Sequence, residues 1–216
     1  MTGKTGTTIL LTGFGPFPGA PVNPTEMLVR TLARERRPAL ADVKIVPHIF
    51  RTSYAAVDGE LPTLLRKHKP DALLMFGLAQ RTPHLRIEML ARNAVAQLAD
   101  MDRAAPQSRI LVKSAASLLP LRTPARALLA AARTARLEAA LSRDAGRYLC
   151  NYLCWRATEA TEKAGGPRLA AFIHVPLVPR GSRPRRPLQK PPIALADLVR
   201  AGRGFLRAVV AAAAAR

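Results

Sequence analysis

The chain of 216 residues is 49% hydrophobic and 22% charged, a composition that excludes a disordered protein and predicts a single globular domain over residues 1–216. Its net charge of +20 would attract nucleic acid non-specifically, but the basic residues are spread along the whole chain, which does not favour a dedicated nucleic-acid surface. The longest weakly apolar run, residues 208–215, is too short to cross a bilayer, so we expect no membrane partner.

Predicted strands and helices alternate through the first half of the chain. Strands are predicted at residues 8–12, 43–50, 71–76 and 85–91, and helices at 23–36 and 54–67. The segment 71–76, DALLMF, is almost continuously apolar, which is typical of a central strand in a parallel sheet. Residues 94–122 show no clear pattern, and no element is assigned to them.

The second half continues the same alternation. Helices are predicted at residues 123–136, 147–163 and 193–215, and strands at 137–141 and 169–175. Residues 180–192 hold five basic residues, four prolines and no acid, which predicts an irregular basic loop before the C-terminal helix. Together the elements predict an α/β fold, a three-layer sandwich with a mostly parallel or mixed central sheet flanked by helices.

The loop after the first strand, GFGPFPGAP at residues 13–21, is rich in glycine but does not have the dinucleotide-binding spacing. Its prolines lack the N–H donors that would bind a phosphate. Phe14 and Phe17 therefore have two interpretations that the segment alone leaves open. They either line a pocket for a flat, uncharged ligand or fill the core.

Two cysteines lie four residues apart in SRDAGRYLCNYLCWR, residues 142–156. This spacing is neither a disulfide framework nor a paired zinc pattern, and no apolar secretory signal opens the chain, so a reducing, cytoplasmic setting is expected. Ser142 or Asp144 is predicted to cap the following helix, with Gly146 forming an unusual turn. Cys150 would then lie near a helix N-terminus, which favours a thiolate, whereas Cys154 is predicted to be structural.

Two further segments carry groups that would activate a thiol. His174 ends the strand segment AFIHV, at a position where catalytic groups gather in α/β folds. Glu88 lies among apolar residues in LRIEML and needs a partner. The candidates are a histidine or one of the nearby arginines, Arg81, Arg86 and Arg92. Each residue also has an ordinary structural interpretation. A cysteine, a histidine and a carboxylate together, however, are the parts of a cysteine nucleophile.

The segments TGFGPFPGAPVNPTE, GLAQRTPHLRIEMLARN, DAGRYLCNY and FIHVP, in this order, resemble the pyroglutamyl-peptidase I family of cysteine peptidases. The resemblance covers residues 9–93 and 136–179. It implies that Cys150 is the nucleophile, His174 the base and Glu88 the orienting carboxylate. It also implies an α/β sandwich without metal or cofactor, commonly assembled as a homotetramer, that cleaves the amide bond after an N-terminal pyroglutamate through a thioester.

By the same resemblance, Phe14 and Phe17 would sandwich the pyroglutamate lactam, and Tyr148 and Leu149 would complete the pocket wall. Backbone groups near Leu78 are expected to bind the lactam amide.

The chain also departs from the family pattern near this pocket. Family members usually have glutamine at position 78 and glycine-glycine-arginine where this chain has AQR, residues 79–81. The retained Arg81 is expected to support the site or the oxyanion. The basic loop 180–192 would add a cationic rim that favours acidic leaving peptides.

Two alternatives remain at this stage. One is a related cysteine amidase that acts on another small lactam or acyl group. The other is a catalytically retired scaffold that binds nucleic acid or acidic partners through its basic surface.

Overall fold

The computed structural model describes residues 6–35, 38–178 and 193–215, so the predicted basic loop 180–192 lies outside the described residues. Its main sheet contains the six strands β1 (Thr7–Phe14), β2 (Val43–Phe50), β3 (Ala72–Leu78), β4 (Leu85–Glu88), β7 (Ala139–Ser142) and β8 (Leu169–Val175). They are ordered β2-β1-β3-β8-β4-β7. The first four strands in this order are mutually parallel, whereas β4 runs antiparallel to β8 and β7 runs parallel to β4. The sheet is therefore mixed.

Helices cover both faces of this sheet. They are α1 (Pro24–Arg34), α2 (Tyr54–His68), α3 (Ala125–Thr134), α4 (Leu149–Glu162) and α5 (Leu195–Ala214). Because side chains alternate along a strand, Ile173 of β8 joins the core under α1, α3 and α5, whereas Phe172 joins the core under α2 and α4. The predicted three-layer α/β sandwich is confirmed. No helix within the described ranges combines the length and the apolar composition that crossing a bilayer requires.

The predicted strand 85–91 is wrong in its second half. The strand ends at Met89, because its N–H still bonds to the Ser142 carbonyl of β7 at 2.7 Å, whereas its own carbonyl accepts from the Leu121 N–H at 2.9 Å, outside the main sheet. The chain then forms β5 (Leu90–Arg92), which pairs with β6 (Leu118–Pro120) in a separate two-stranded sheet.

Side chains, more than regular structure, hold residues 94–117 in place. The Asn93 Oδ1 accepts from the N–H groups of Leu111 and Val112 at 3.0 and 2.9 Å. The Asp100 Oδ2 accepts from the Tyr54 N–H at 2.8 Å, which ties this segment to the start of α2. Because buried backbone groups need partners, these two residues substitute for the ladder that a strand would provide.

Candidate active site

Strand register brings Glu88 and His174 together. Arg86 of β4 lies directly opposite His174 of β8, and Glu88, two residues further along β4, is opposite Phe172. Residues two apart on a strand point to the same face, so Glu88 is the diagonal neighbour of His174. The Glu88 Oε1 lies 2.7 Å from the His174 Nδ1, and both side chains are almost completely buried.

Arg86 contacts the same carboxylate. Its Nη2 lies 3.2 Å from the Glu88 Oε1 and also donates to the Ser142 Oγ at 2.6 Å and to the Asp144 carbonyl. Arg86 therefore connects Glu88 to the segment that precedes α4. Of the arginines considered as partners of Glu88, Arg92 instead pairs with the Asp144 carboxylate at 3.1 Å.

Cys150 is the second residue of α4, and Tyr148 is the N-cap. The backbone bond from the Tyr152 N–H to the Tyr148 carbonyl opens the helix, so the N–H groups of residues 149–151 precede its ladder. No side chain caps this end of the helix. Uncapped N–H groups and the helix dipole favour negative charge at Cys150.

The prediction that Ser142 or Asp144 caps α4 is wrong, because both side chains are recruited elsewhere. The Ser142 Oγ accepts from Arg86, and the Asp144 Oδ1 accepts from the Gly146 N–H at 3.0 Å. Gly146 has φ +83°, a left-handed conformation that favours glycine, as the sequence predicted.

The imidazole of His174 interacts with both groups, since its Nδ1 lies 2.7 Å from the Glu88 carboxylate and the Cys150 sulfur is near enough to affect its protonation. Burial by itself lowers the pKa of His174. Interactions with the Cys150 sulfur, and then with Glu88, outweigh burial and raise the pKa to about 9. The arrangement therefore favours a protonated imidazole beside the sulfur.

Gly77 is a site residue that sequence reasoning missed. It lies near the end of β3, and a Cβ atom built there would be 2.8 Å from the Cys150 Sγ and 2.6 Å from the Phe172 Cζ. Glycine is thus what lets the sulfur lie against the sheet. Its position at the end of the apolar run was the available signal, but the clash involves distant parts of the chain.

Cys154, one turn further along α4, is fully buried. Burial, with smaller contributions from Glu88 and Cys150, raises the pKa of the Cys154 thiol well above its usual value. The thiol stays protonated, in line with the structural role that was predicted.

A pocket of about 480 Å³ opens beside these groups. The predicted pocket residues all line it, together with Cys150 and His174: Phe14, Phe17, Leu78, Arg81, Tyr148 and Leu149. The structure thus brings together residues from β1, β3, β8, α4 and their connections.

The two phenylalanines of the glycine-rich loop differ in burial. Phe14 is 3% exposed and packs against Phe50 with ring centroids 6.0 Å apart, so it belongs to the core and also lines the pocket. Phe17 is half-buried. The Gln80 Nε2 donates to the Gly19 carbonyl at 2.7 Å, so a residue that departs from the family pattern ties this loop to the end of β3.

The Tyr148 hydroxyl is bonded to a neighbouring segment of the chain. The hydroxyl donates to the Ala99 carbonyl at 3.2 Å, and the ring packs edge-on against Tyr54 at 5.9 Å. The tyrosine therefore also fixes the irregular segment that contains Ala99.

The lining residues that were not predicted include Asn23, Thr52, Arg86 and Arg147. Asn23 and Thr52 both donate to the Gly15 carbonyl, at 3.1 and 3.2 Å, and so shape the glycine-rich loop. Asn23 could be recognised only as the cap of α1, a role that it also has. Nothing in the local sequence distinguishes Thr52 or Arg147.

A larger cavity of about 600 Å³ lies between α2 and α4. Its charged side chains include Arg156, which forms ion pairs with Asp58 at 3.3 Å and with Glu159 at 3.1 Å. It contains neither a cysteine nor a histidine, so we place the chemistry in the smaller pocket. Within the described ranges, no group of three or more His, Cys, Asp or Glu side chains could hold a metal ion.

Comparisons with known proteins show what this chain is similar to. Residues 7–214 match the family model described as Pyroglutamyl peptidase. The pyrrolidone-carboxylate peptidase of Thermococcus kodakarensis is 31% identical over 169 residues, covering 78% of this chain and 80% of that protein. The Streptococcus suis protein of the same name is 28% identical over 206 residues, covering 94% of this chain and 92% of its own.

A solved structure gives the same result for the fold. Pyrrolidone carboxyl peptidase from Thermococcus litoralis superposes with a TM-score of 0.83 at 27% identity, covering 95% of this chain and 94% of that one. With matches of this extent in both sequence and structure, the chain belongs to the pyroglutamyl peptidase family.

Proposed function

We propose that this protein is a cysteine peptidase that hydrolyses the amide bond after an N-terminal pyroglutamate, with Cys150 as nucleophile, His174 as acid and base, and Glu88 as the carboxylate that orients the imidazole. The observation that carries the proposal is that sulfur, imidazole and carboxylate lie together beside a pocket, with the imidazole hydrogen-bonded to the carboxylate. This arrangement argues against a catalytically retired scaffold, which would have no reason to keep all three groups aligned.

In the first half-reaction, the Cys150 thiolate attacks the pyroglutamyl carbonyl carbon. The carbonyl oxygen takes up negative charge, which the N–H groups at the start of α4 stabilise. When the tetrahedral intermediate collapses, the C–N bond breaks and the His174 imidazolium gives its proton to the leaving amine. A thioester between pyroglutamate and Cys150 remains.

In the second half-reaction, neutral His174 takes a proton from water while the oxygen attacks the thioester carbon. The C–S bond breaks, free pyroglutamate leaves and the thiolate is restored beside an imidazolium. Glu88 accepts the hydrogen bond from the His174 Nδ1 throughout, which leaves Nε2 to transfer the proton. Arg86 acts only through Glu88, by holding the carboxylate in place.

The pocket suits a flat and neutral ring. Phe14, Phe17 and Leu149 supply apolar contacts, and backbone groups near Leu78 bind the lactam amide. An open-chain glutamate would bring a charge against these apolar walls, so specificity for the lactam follows. Arg81 supports the mouth of the site.

A pyroglutamyl-coumarin reporter tests the proposal directly. The reduced wild type should release coumarin, and iodoacetamide should abolish the release. Cys150→Ser should be inactive, while Cys154→Ser, which changes the other cysteine of the same helix, should stay active and still be inhibited by iodoacetamide. Absence of turnover by the reduced wild type would support the retired scaffold instead.

The cellular setting and the assembly belong to the same proposal. A catalytic thiolate must stay reduced, so we place the enzyme in the cytoplasm. Family resemblance leads us to expect a homotetramer, which light scattering of the purified protein would test. We expect any nucleic-acid binding to be non-specific and therefore lost at moderate salt.

A further inference from the structure

We propose that the mouth of the active-site pocket selects peptides with an acidic residue directly after the pyroglutamate, and that Arg81 and Arg147 recognise that carboxylate. The inference rests on the proposed function, because it concerns the leaving peptide of that reaction. It assigns a role to two side chains that the chemical steps do not use.

The charged side chains that line the pocket are all basic. Its lining residues include Arg81, Arg86, Arg147 and His174, and no aspartate or glutamate is among the described residues that line it. The cavity between α2 and α4 differs, because beside its basic side chains it also holds two acidic residues, Asp58 and Glu159, which pair with Arg156. The active-site pocket therefore lacks the acidic partners that the other cavity provides.

Two of the three arginines are available to a ligand. Arg86 is committed to Glu88, Ser142 and the Asp144 carbonyl. Arg81 and Arg147 are exposed, and neither has a side-chain ion pair or hydrogen bond with another residue in the described ranges. Their charges attract any anion that enters the pocket.

The acidic residues of the surrounding segments have other partners, and Glu88 pairs with His174 and Arg86. Asp144 pairs with Arg92 at 3.1 Å and accepts from the Gly146 N–H. Asp100 accepts backbone N–H groups, among them that of Tyr54 at 2.8 Å.

The neutral lactam cannot be what these cations bind. The leaving peptide is the other part of the substrate, and its amine must lie against His174 to receive a proton. Arg81 and Arg147 line the same pocket as His174, so the leaving peptide passes these two cations as it departs. A carboxylate in its first residue would be attracted there, and a lysine repelled.

The test compares pyroglutamyl tripeptide amides that have aspartate, asparagine or lysine in the second position, with the released amine quantified by mass spectrometry. Exposed charge pairs change affinity by about two- to fivefold each. At low salt we therefore expect kcat/KM to decrease from aspartate to asparagine to lysine, by about fivefold or more overall. In 0.5 M salt, where screening shortens the range of the interaction, the ratio should approach one.

The double variant R81Q/R147Q should reduce the ratio of aspartate to lysine substrate to within about twofold. The matched control R126Q/R133Q removes the same charge from exposed positions of α3, on the opposite face of the sheet, and should keep the wild-type ratio. An equal ratio in wild type and the R81Q/R147Q variant, or a wild type without preference, would overturn the inference. Absence of turnover of the neutral coumarin reporter by the wild type would instead count against the proposed function.

Discussion

Replacing Glu88 by glutamine tests how the buried carboxylate controls the active site. The change keeps the size of the side chain and removes its charge, 2.7 Å from the His174 Nδ1. The rise in the pKa of His174 from 6.5 to about 9 corresponds to about 3 kcal/mol of preferential interaction with the imidazolium. Cys150 contributes to this rise before Glu88 does, so removing Glu88 alone should lower the pKa of His174 by about one unit.

The expected result is a shift in the pH dependence of activity. Above the pKa of His174 the imidazolium loses the proton that the leaving amine needs, so kcat/KM of the wild type should fall as the pH rises through about 9. In Glu88→Gln this decrease should begin about one pH unit lower. Activity at neutral pH should also fall by about 100-fold or more, because the imidazole loses its orienting partner. The coumarin reporter, assayed from pH 5 to 10, measures both effects.

Arg86→Gln is the matched control, with the opposite sign. The Arg86 guanidinium lies 3.2 Å from the Glu88 Oε1 and partly neutralises it. Without the guanidinium, the carboxylate stabilises the imidazolium more strongly, so the decrease in activity should move to higher pH. If neither variant moves the alkaline limb, Glu88 does not set the protonation of His174 and the reasoning is wrong.

Protein stability should follow the same titration. Because folding raises the pKa of His174, its contribution to the free energy of unfolding is fully present below about pH 6.5 and is lost as the pH rises through about 9. Denaturant unfolding at several pH values should show this loss in the wild type and a smaller loss in Glu88→Gln.

Three further substitutions test other contacts. Gly77→Ala would place a Cβ 2.8 Å from the Cys150 Sγ, so kcat/KM should fall by about 100-fold and alkylation of Cys150 should slow, as iodoacetamide kinetics would show. Cys154→Ala should cost about 1–2 kcal/mol of stability in denaturant unfolding, yet leave turnover within about threefold. Tyr148→Phe removes the bond to Ala99, so stability should fall by about 1 kcal/mol and KM should rise by about two- to fivefold.

The sequence was sufficient to predict the layers of the fold, because its buried strands are short apolar runs separated by amphipathic helices. Sheet order and the reversed direction of β4 could not be predicted, since they depend on pairing between distant segments. The same limit explains the break at Met89, where a hydrogen bond from the Leu121 N–H draws the chain out of the main sheet despite an alternating pattern that is locally typical of one strand.

For the site, the residue types and the resemblance together were enough to select Cys150, His174 and Glu88. Residues that act through shape or through distant partners were not recognised. Gly77 matters because a sulfur from another element lies against it. Arg86 was considered as an ion-pair partner of Glu88, which it is, but its bonds to the segment before α4 were not foreseen. The wrong helix cap has the same origin, since Ser142 has the chemistry of a cap but is used by Arg86.

The position of β4, antiparallel to β8, restricts which changes in strand length this enzyme can accommodate. Deleting a single residue within β4 would turn Glu88 to the opposite side of the sheet and leave the imidazole without its orienting carboxylate. Deleting two residues would keep the carboxylate on the same side. The length of the connection between β3 and β4 is not restricted in this way. Substrate preference can therefore drift through changes of loop length while the proton-transfer pair stays fixed in the sheet.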